Sequence, residues 1–393
     1  MATEHTDGTA FESEEESAYV ETADGTRRRR AFVDRFPEAA RTARICLWIA
    51  FAAFGVGALF GLIQALHRTN ALRIIPSADY YTILTGHGVL LALVFTTFGI
   101  AGLFHWANTR SLGVAPTSRR LTQGWLWTMS IGTALAAGTI LSGLVDEIPA
   151  SADVLYTFYA PLGAHPLFYI GAALLIVGSW GAGLDWFLQY REWRESNPNE
   201  RIPLQSFMVM TTMLMWYLSS LGVAIEVVFF LIPWSLGLIS QVDPLLTRTL
   251  FWYFGHPVVY FWLLPGYVAW YTVLPKLTGG RLFSDPLARV TFVLFLLLST
   301  PVGFHHQYTD PGIASGYKLV AMTNTMFVLL PSLLTMFTVI ASMEHGARQG
   351  GATGRLAWLK DLPWERPAFS GMALAGMTFA AAGFSGMINA GMN

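Results

Sequence analysis

Apolar residues gather into nine long runs, at about 43–65, 80–106, 121–143, 154–188, 205–233, 249–275, 289–306, 317–343 and 368–391, and ionisable residues concentrate in the N-terminal tail and between the runs. A helix rises about 1.5 Å per residue, so roughly 20 residues cross ~30 Å of hydrocarbon. Within hydrocarbon every backbone N–H and C=O must be satisfied inside its own segment, which leaves the helix as the open-chain solution. The pattern predicts an all-α polytopic membrane protein with about nine transmembrane helices. It divides the chain into a tail over 1–42 and a helical core over 43–393.

Composition agrees. Of the 393 residues 53% are apolar and 12% charged, and the mean hydropathy is +0.46. A soluble domain carries about 25% charge, so this chain has too little polar surface to cover itself in water. The net charge of −1 hides an asymmetry. If the side holding the N-terminus is called inner, the outer loops contain only Arg68, Arg73, Arg248 and Lys318, and every other Lys and Arg lies in the tail or at the inner side. By the positive-inside rule the N-terminus is expected to be cytoplasmic.

The tail, with Glu12–Glu16 followed by Arg27–Arg30, reads as disordered. Its arginines set topology, with or without contact to anionic lipid. Residues 1–40 hold no apolar h-region, so no signal peptide is expected. The single Cys46 excludes an intrachain disulfide and a two-cysteine metal centre. The sequence shows no phosphate loop, no soluble catalytic domain and no nucleic-acid-binding pattern.

Ionisable groups inside a membrane are costly and point to function. Counting depth along the spans places His87 and His256 each about 10 Å below the outer surface. The seventh span ends at His305-His306 in the same outer third. Adjacent helical residues point about 100° apart, so both rings can face one ion only if the helix end frays. The following Gln-Tyr-Thr-Asp-Pro-Gly is such a stop signal. With His256 as third ligand, three neutral imidazoles and no thiolate suit copper or zinc with an open position. The alternative is a set of histidines that merely hydrogen-bond at an interface.

Pro257 removes one helical hydrogen bond beside His256. Tyr260 sits one turn further on, and Tyr267 and Tyr271 continue roughly the same face. This stripe is either a proton route below the metal or interface packing. His165-Pro166-Leu167-Phe168-Tyr169 repeats the His-Pro-x-x-Tyr pattern with no second histidine cluster, so His165 reads as structural. His67, His105 and His345 fall at predicted span boundaries and read as interfacial. Glu226 lies in the fifth span near the histidine layer, where a carboxyl group is expected to be protonated or hydrogen-bonded. It is either a proton relay or a structural hydrogen-bonding group.

Phe251-Trp-Tyr-Phe-Gly-His-Pro-Val-Val-Tyr260, then Val302-Gly-Phe-His-His-Gln-Tyr308, with His87 in Thr-Gly-His-Gly, resembles subunit I of heme–copper oxidases from about residue 43 onward. Val258 stands where the A-type pattern has Glu, and His-His-Gln-Tyr-Thr-Asp-Pro-Gly resembles the B-type branch of bacteria and archaea.

The resemblance implies that His256, His305 and His306 ligate a copper ion beside a high-spin heme. It implies that His87 is an axial ligand of a low-spin heme, and that Tyr260 is cross-linked to His256 and donates an electron and a proton. It also implies one proton route, which Ser284, Tyr271, Tyr267, Thr335 and Ser332 match; Ser332 and Thr335 read equally as packing hydroxyls.

Implied partners are O2, a second subunit carrying the copper centre that receives electrons, a cytochrome c or small copper protein as donor, and the lipid bilayer of a prokaryotic cell membrane. The implied activity is reduction of O2 to water coupled to proton uptake and a transmembrane proton gradient. Family members continue to a later His-x-His that completes heme ligation. This sequence ends at Asn393, so it is expected to be a fragment or to be completed by another polypeptide.

Two other readings remain. A nitric-oxide-reductase-like member would share the histidines but lack the tyrosine of the sixth span. A non-enzymatic proton channel or transporter would use intramembrane His, Glu and Tyr without heme.

Overall fold

The computed structural model describes residues 19–21, 27–29, 31–71, 75–145 and 151–391. Among the described residues, eight helices are long and apolar enough to cross a membrane: α1 (Pro37–Arg68), α2 (Asp79–Leu112), α3 (Arg119–Ser142), α4 (Pro166–Ser196), α5 (Leu204–Ser235), α6 (Pro244–Leu277), α8 (Ser315–Gln349) and α9 (Pro367–Asn389). Between α6 and α8, α7 (Asp285–Ser299) continues into a 3₁₀ segment, Thr300–Gln307. That segment accounts for the difference from nine uniform spans. The chain is a multi-pass membrane protein of the predicted all-α class. Its described strands are β1 (Tyr19–Glu21) and β2 (Arg27–Arg29), an antiparallel pair in the tail.

Several boundaries move for identifiable reasons. Helix begins at Phe32–Arg35 and α1 at Pro37, rather than about 43, so the end of the predicted tail is ordered. Positions 1–18, 22–26 and 30 of that tail lie outside the described residues. The fourth helix starts at Pro166, not near 154. Residues 154–165 are apolar but turn instead, since Pro161 and Pro166 each lack an N–H and disfavour helix just before them. His165 caps α4, its Nδ1 accepting from the Leu167 amide at 3.3 Å, in keeping with a structural reading. Asp243 caps α6 in the same way, accepting from the amides of Leu245 (2.8 Å) and Leu246 (3.2 Å).

Lipid tails give apolar helices no reason to associate, so close approach of backbones decides packing. Helices α3 and α4 meet at Gly132 and Gly171. A Cβ at Gly132 would lie 2.6 Å from the Gly171 carbonyl oxygen, and one at Gly171 would lie 2.5 Å from that of Gly132. Outward faces stay apolar: Trp48 on α1 is 75% exposed and Trp127 on α3 64%. Polar side chains turn inward, where α6, the 3₁₀ segment and α8 bring His256, His305, His306 and Thr325 together.

Candidate metal centre

His256 interrupts α6. It is the junction between helix Pro244–Gly255 and helix Pro257–Leu277, because Pro257 offers no N–H to the preceding turn. Opposite it, the chain after α7 tightens into the 3₁₀ segment rather than fraying. The three imidazoles converge, each offering one ring nitrogen, and those atoms all lie within 4.8 Å of one another. The His305 and His306 ring centroids are 4.4 Å apart, closer than adjacent rings in the α-helices, such as Phe168 and Tyr169 at 5.4 Å.

Two of the rings are held from outside the cluster. His305 Nδ1 lies 2.7 Å from the Thr325 hydroxyl of α8, and that hydroxyl spends its single hydrogen on the Ala321 carbonyl at 2.7 Å. With the hydroxyl hydrogen on Ala321, His305 Nδ1 carries the hydrogen and donates, which leaves Nε2 with a free lone pair. His306 stacks on the Trp252 indole, centroids 3.9 Å apart and planes 12° apart. Gly303 makes that possible, because a Cβ there would overlap the Trp252 carbonyl. His256 Nδ1 faces His306 Nε2 at 3.3 Å, and His256 Nε2 is buried without a partner. Two ring nitrogens that close need either a proton or a cation between them. Neutral nitrogen donors with this spacing fit a copper ion.

The end of the histidine segment is tied down as well. Arg248 makes a two-pronged pair with Asp310, at 3.0 and 2.9 Å, and lies over the Tyr159 ring at 4.4 Å. Gln307 donates to Asp310 and to Thr249, both at 3.2 Å. Lys318 adds a hydrogen bond to the Tyr308 carbonyl.

Tyr260 stands one turn along α6, its ring 4.8 Å from that of His256. Further along, the Tyr267 hydroxyl donates to Ser332 at 3.1 Å and the Tyr271 hydroxyl to Thr335 at 2.9 Å, both across to α8. Thr335 also donates to the Pro331 carbonyl at 2.9 Å, so it packs and receives at once. Ser284 caps α7, accepting from the Leu287 amide at 3.2 Å.

His87 sits on α2, immediately before a π-helical segment, Val89–Phe95. Its Nδ1 donates to the Gly57 carbonyl of α1 at 2.8 Å, leaving Nε2 with a lone pair suited to an axial iron site. Gly61 leaves room for the ring, since a Cβ there would come within 2.7 Å of it. Glu226 begins a second π-helical segment, Glu226–Leu231, and is fully buried with neither carboxyl oxygen hydrogen-bonded. Such bulges recur at functional sites.

Three sequence readings need correction or addition. His105 is not interfacial: it is fully buried, and its Nδ1 accepts from the Trp186 indole at 3.1 Å. His345 lies within α8, which runs past the predicted span end at about 343 to Gln349. Thr325, the partner of His305, carries no signal in the sequence beyond a polar position on an apolar span.

A family model described as cytochrome c and quinol oxidase polypeptide I matches residues 41–393. The chain belongs to that family. It is 44% identical over 351 residues to cytochrome c oxidase subunit 1 of Thermus thermophilus, covering 88% of this chain and 61% of the relative. It is 25% identical over 315 residues to cytochrome c oxidase polypeptide 1 of Halobacterium salinarum, covering 76% of this chain and 51% of the relative. A solved heme–copper terminal oxidase dimer matches with TM-score 0.83 and 38% identity, over 90% of this chain and 61% of that one. The chain thus spans about three-fifths of the length of the Thermus relative. The family implies hemes and a copper ion.

Proposed function

We propose that this chain is catalytic machinery of a B-type terminal oxidase that reduces O2 to water, coupled to proton uptake and a transmembrane proton gradient. The convergence of His256, His305 and His306 within 4.8 Å, with Tyr260 one turn away, carries the reading. His256 through Nδ1, His305 through Nε2 and His306 through Nε2 would hold copper, and His87 would hold the low-spin heme iron through Nε2. Bound copper together with a high-spin heme supplies the redox chemistry that takes oxygen to water.

The protein's own groups orient and protonate. Thr325 and Trp252 fix two ligand rings, so little reorganisation accompanies binding. Tyr260, its ring 4.8 Å from that of His256, would give its proton during cleavage of the O–O bond. Protons would reach it from the inner side past Ser284, Tyr271–Thr335 and Tyr267–Ser332, with Glu226 as a further proton-holding group. The same reading places the N-terminus in the cytoplasm. It also supplies a second subunit with the copper centre that receives electrons, and a cytochrome c or small copper protein as donor.

The test is metal analysis and visible spectroscopy of the purified enzyme containing this chain. His256→Ala, His305→Ala and His306→Ala should each lose copper and keep the low-spin heme, whereas His87→Ala should lose the low-spin signal. Full copper in all three, or a normal low-spin spectrum in the fourth, contradicts the assignment.

A further inference from the structure

Helices α1 and α3 begin side by side, their first turns joined by the Glu38–Arg119 ion pair at 3.3 Å. Beyond that they make few contacts with each other, and a groove of about 450 Å³ separates them. Along α1 its lining runs Arg41, Ile45, Ile49, and along α3 Arg119, Gln123, Trp127. Each set is spaced by four residues and so shares one helix face. Both walls therefore begin with an arginine and end on a large apolar side chain. Eight residues of helix rise about 12 Å, most of the ~15 Å that one leaflet of hydrocarbon spans.

The charges at the mouth do not balance. Arg119 and Glu38 offset each other, but both side chains are largely exposed, 66% and 60%, and exposed pairs of this kind are weak. Arg41 is exposed too, and among the described residues no carboxylate lies within ion-pair reach of it. Two guanidinium groups against one carboxylate leave a surplus of one positive charge. A guanidinium fork matches the oxygens of a phosphate group. Deeper in, Trp127 is exposed on the outward face of α3, so the groove opens sideways to the lipid. An apolar slot in that position favours a hydrocarbon chain over water.

We propose that this groove binds one anionic phospholipid of the surrounding membrane. Its phosphate sits between Arg41 and Arg119, and an acyl chain lies against Ile49 and Trp127. The surplus positive charge selects the anionic headgroup, since a zwitterionic lipid offers no net charge to match it. The site is built from α1 and α3 alone, whereas the histidine cluster stands on α6 and the 3₁₀ segment. Heme and copper spectra can therefore serve as folding controls for changes in the groove.

The test is native mass spectrometry of the purified enzyme containing this chain, stripped of lipid in detergent and titrated with phosphatidylglycerol or phosphatidylcholine. Phosphatidylglycerol should fill a site for which phosphatidylcholine does not compete. Attraction of one Lys or Arg to an anionic lipid surface is worth about fivefold in affinity. Arg41→Gln and Arg119→Gln should therefore each weaken that site about fivefold, and Arg41→Lys should keep most of the affinity. Ile49→Trp fills the slot without changing charge and should also lose the lipid. If Ile49→Trp does not fold, a photo-reactive analogue in place of Trp127 reads the same contact and should cross-link phospholipid in native membranes. Equal affinity for the two lipids, or binding indifferent to both arginine substitutions, overturns the headgroup site. Binding indifferent to Ile49→Trp in folded enzyme, or cross-linking from position 127 to polypeptide, overturns the acyl-chain groove.

Discussion

At His305 a hydroxyl from another helix decides which ring nitrogen faces the cluster. Thr325 accepts from Nδ1–H because its own hydrogen goes to Ala321, and a partner of that kind typically raises metal affinity 10–100-fold. Thr325→Val keeps the shape and removes the acceptor. Copper affinity, measured by competition with a chelator, should fall by about that factor while His256 and His306 remain in place. An affinity equal to the native value contradicts the role of the hydroxyl. The proposed ligands stand out in the sequence, because paired histidines and a His-Pro inside apolar runs have few structural uses. Thr325 did not, since a threonine on an apolar span usually bonds its own helix, as Thr325 also does.

On the scale of elements, the site depends on a change of helix type. The 3₁₀ segment Thr300–Gln307 turns His305 and His306 toward α6, and it can approach only because position 303 lacks a side chain. Gly303→Ala should push that segment off Trp252 and cost about 1–3 kcal/mol of overpacking. Copper content should drop, with the low-spin heme spectrum unchanged. Retention of full copper would show that the contact is dispensable.

Across α6 and α8, Tyr271–Thr335 and Tyr267–Ser332 form two hydroxyl pairs. Tyr271→Phe or Thr335→Ala should leave both hemes and copper spectrally intact and slow the proton-coupled phases after oxygen binding in flow–flash kinetics. Native rates in both variants would remove the route.

Most helices were legible from apolar run length, and their errors have local causes. Residues 154–165 are apolar enough for a span but contain Pro161 and abut Pro166. α7 is too short to cross as α-helix alone. It completes its path in a tighter form that periodicity does not signal. The apolar run around His105 ends at about 106, which puts it at a boundary, whereas α2 runs on to Leu112 and packs His105 against α4.

For the whole molecule, apolar faces such as those carrying Trp48 and Trp127 point outward, and ionisable groups point inward to separate places. His256, His305 and His306 gather on α6 and the 3₁₀ segment; His87 stands on α2 against α1. Asp185 and His105 occupy a third position between α2, α3 and α4. A bilayer makes each buried polar group expensive, so these groupings stand out against the apolar spans around them.

The oxidase reading turns on Tyr260, whose ring packs 4.8 Å from that of His256. The decisive measurement is oxygen consumption by the purified Tyr260→Phe enzyme, after heme and copper contents are shown to equal those of the native enzyme. Phenylalanine keeps the ring's packing and deletes only the hydroxyl. Oxygen reduction should be nearly abolished with both metals in place. Turnover at the native rate under those conditions would contradict the proposed chemistry.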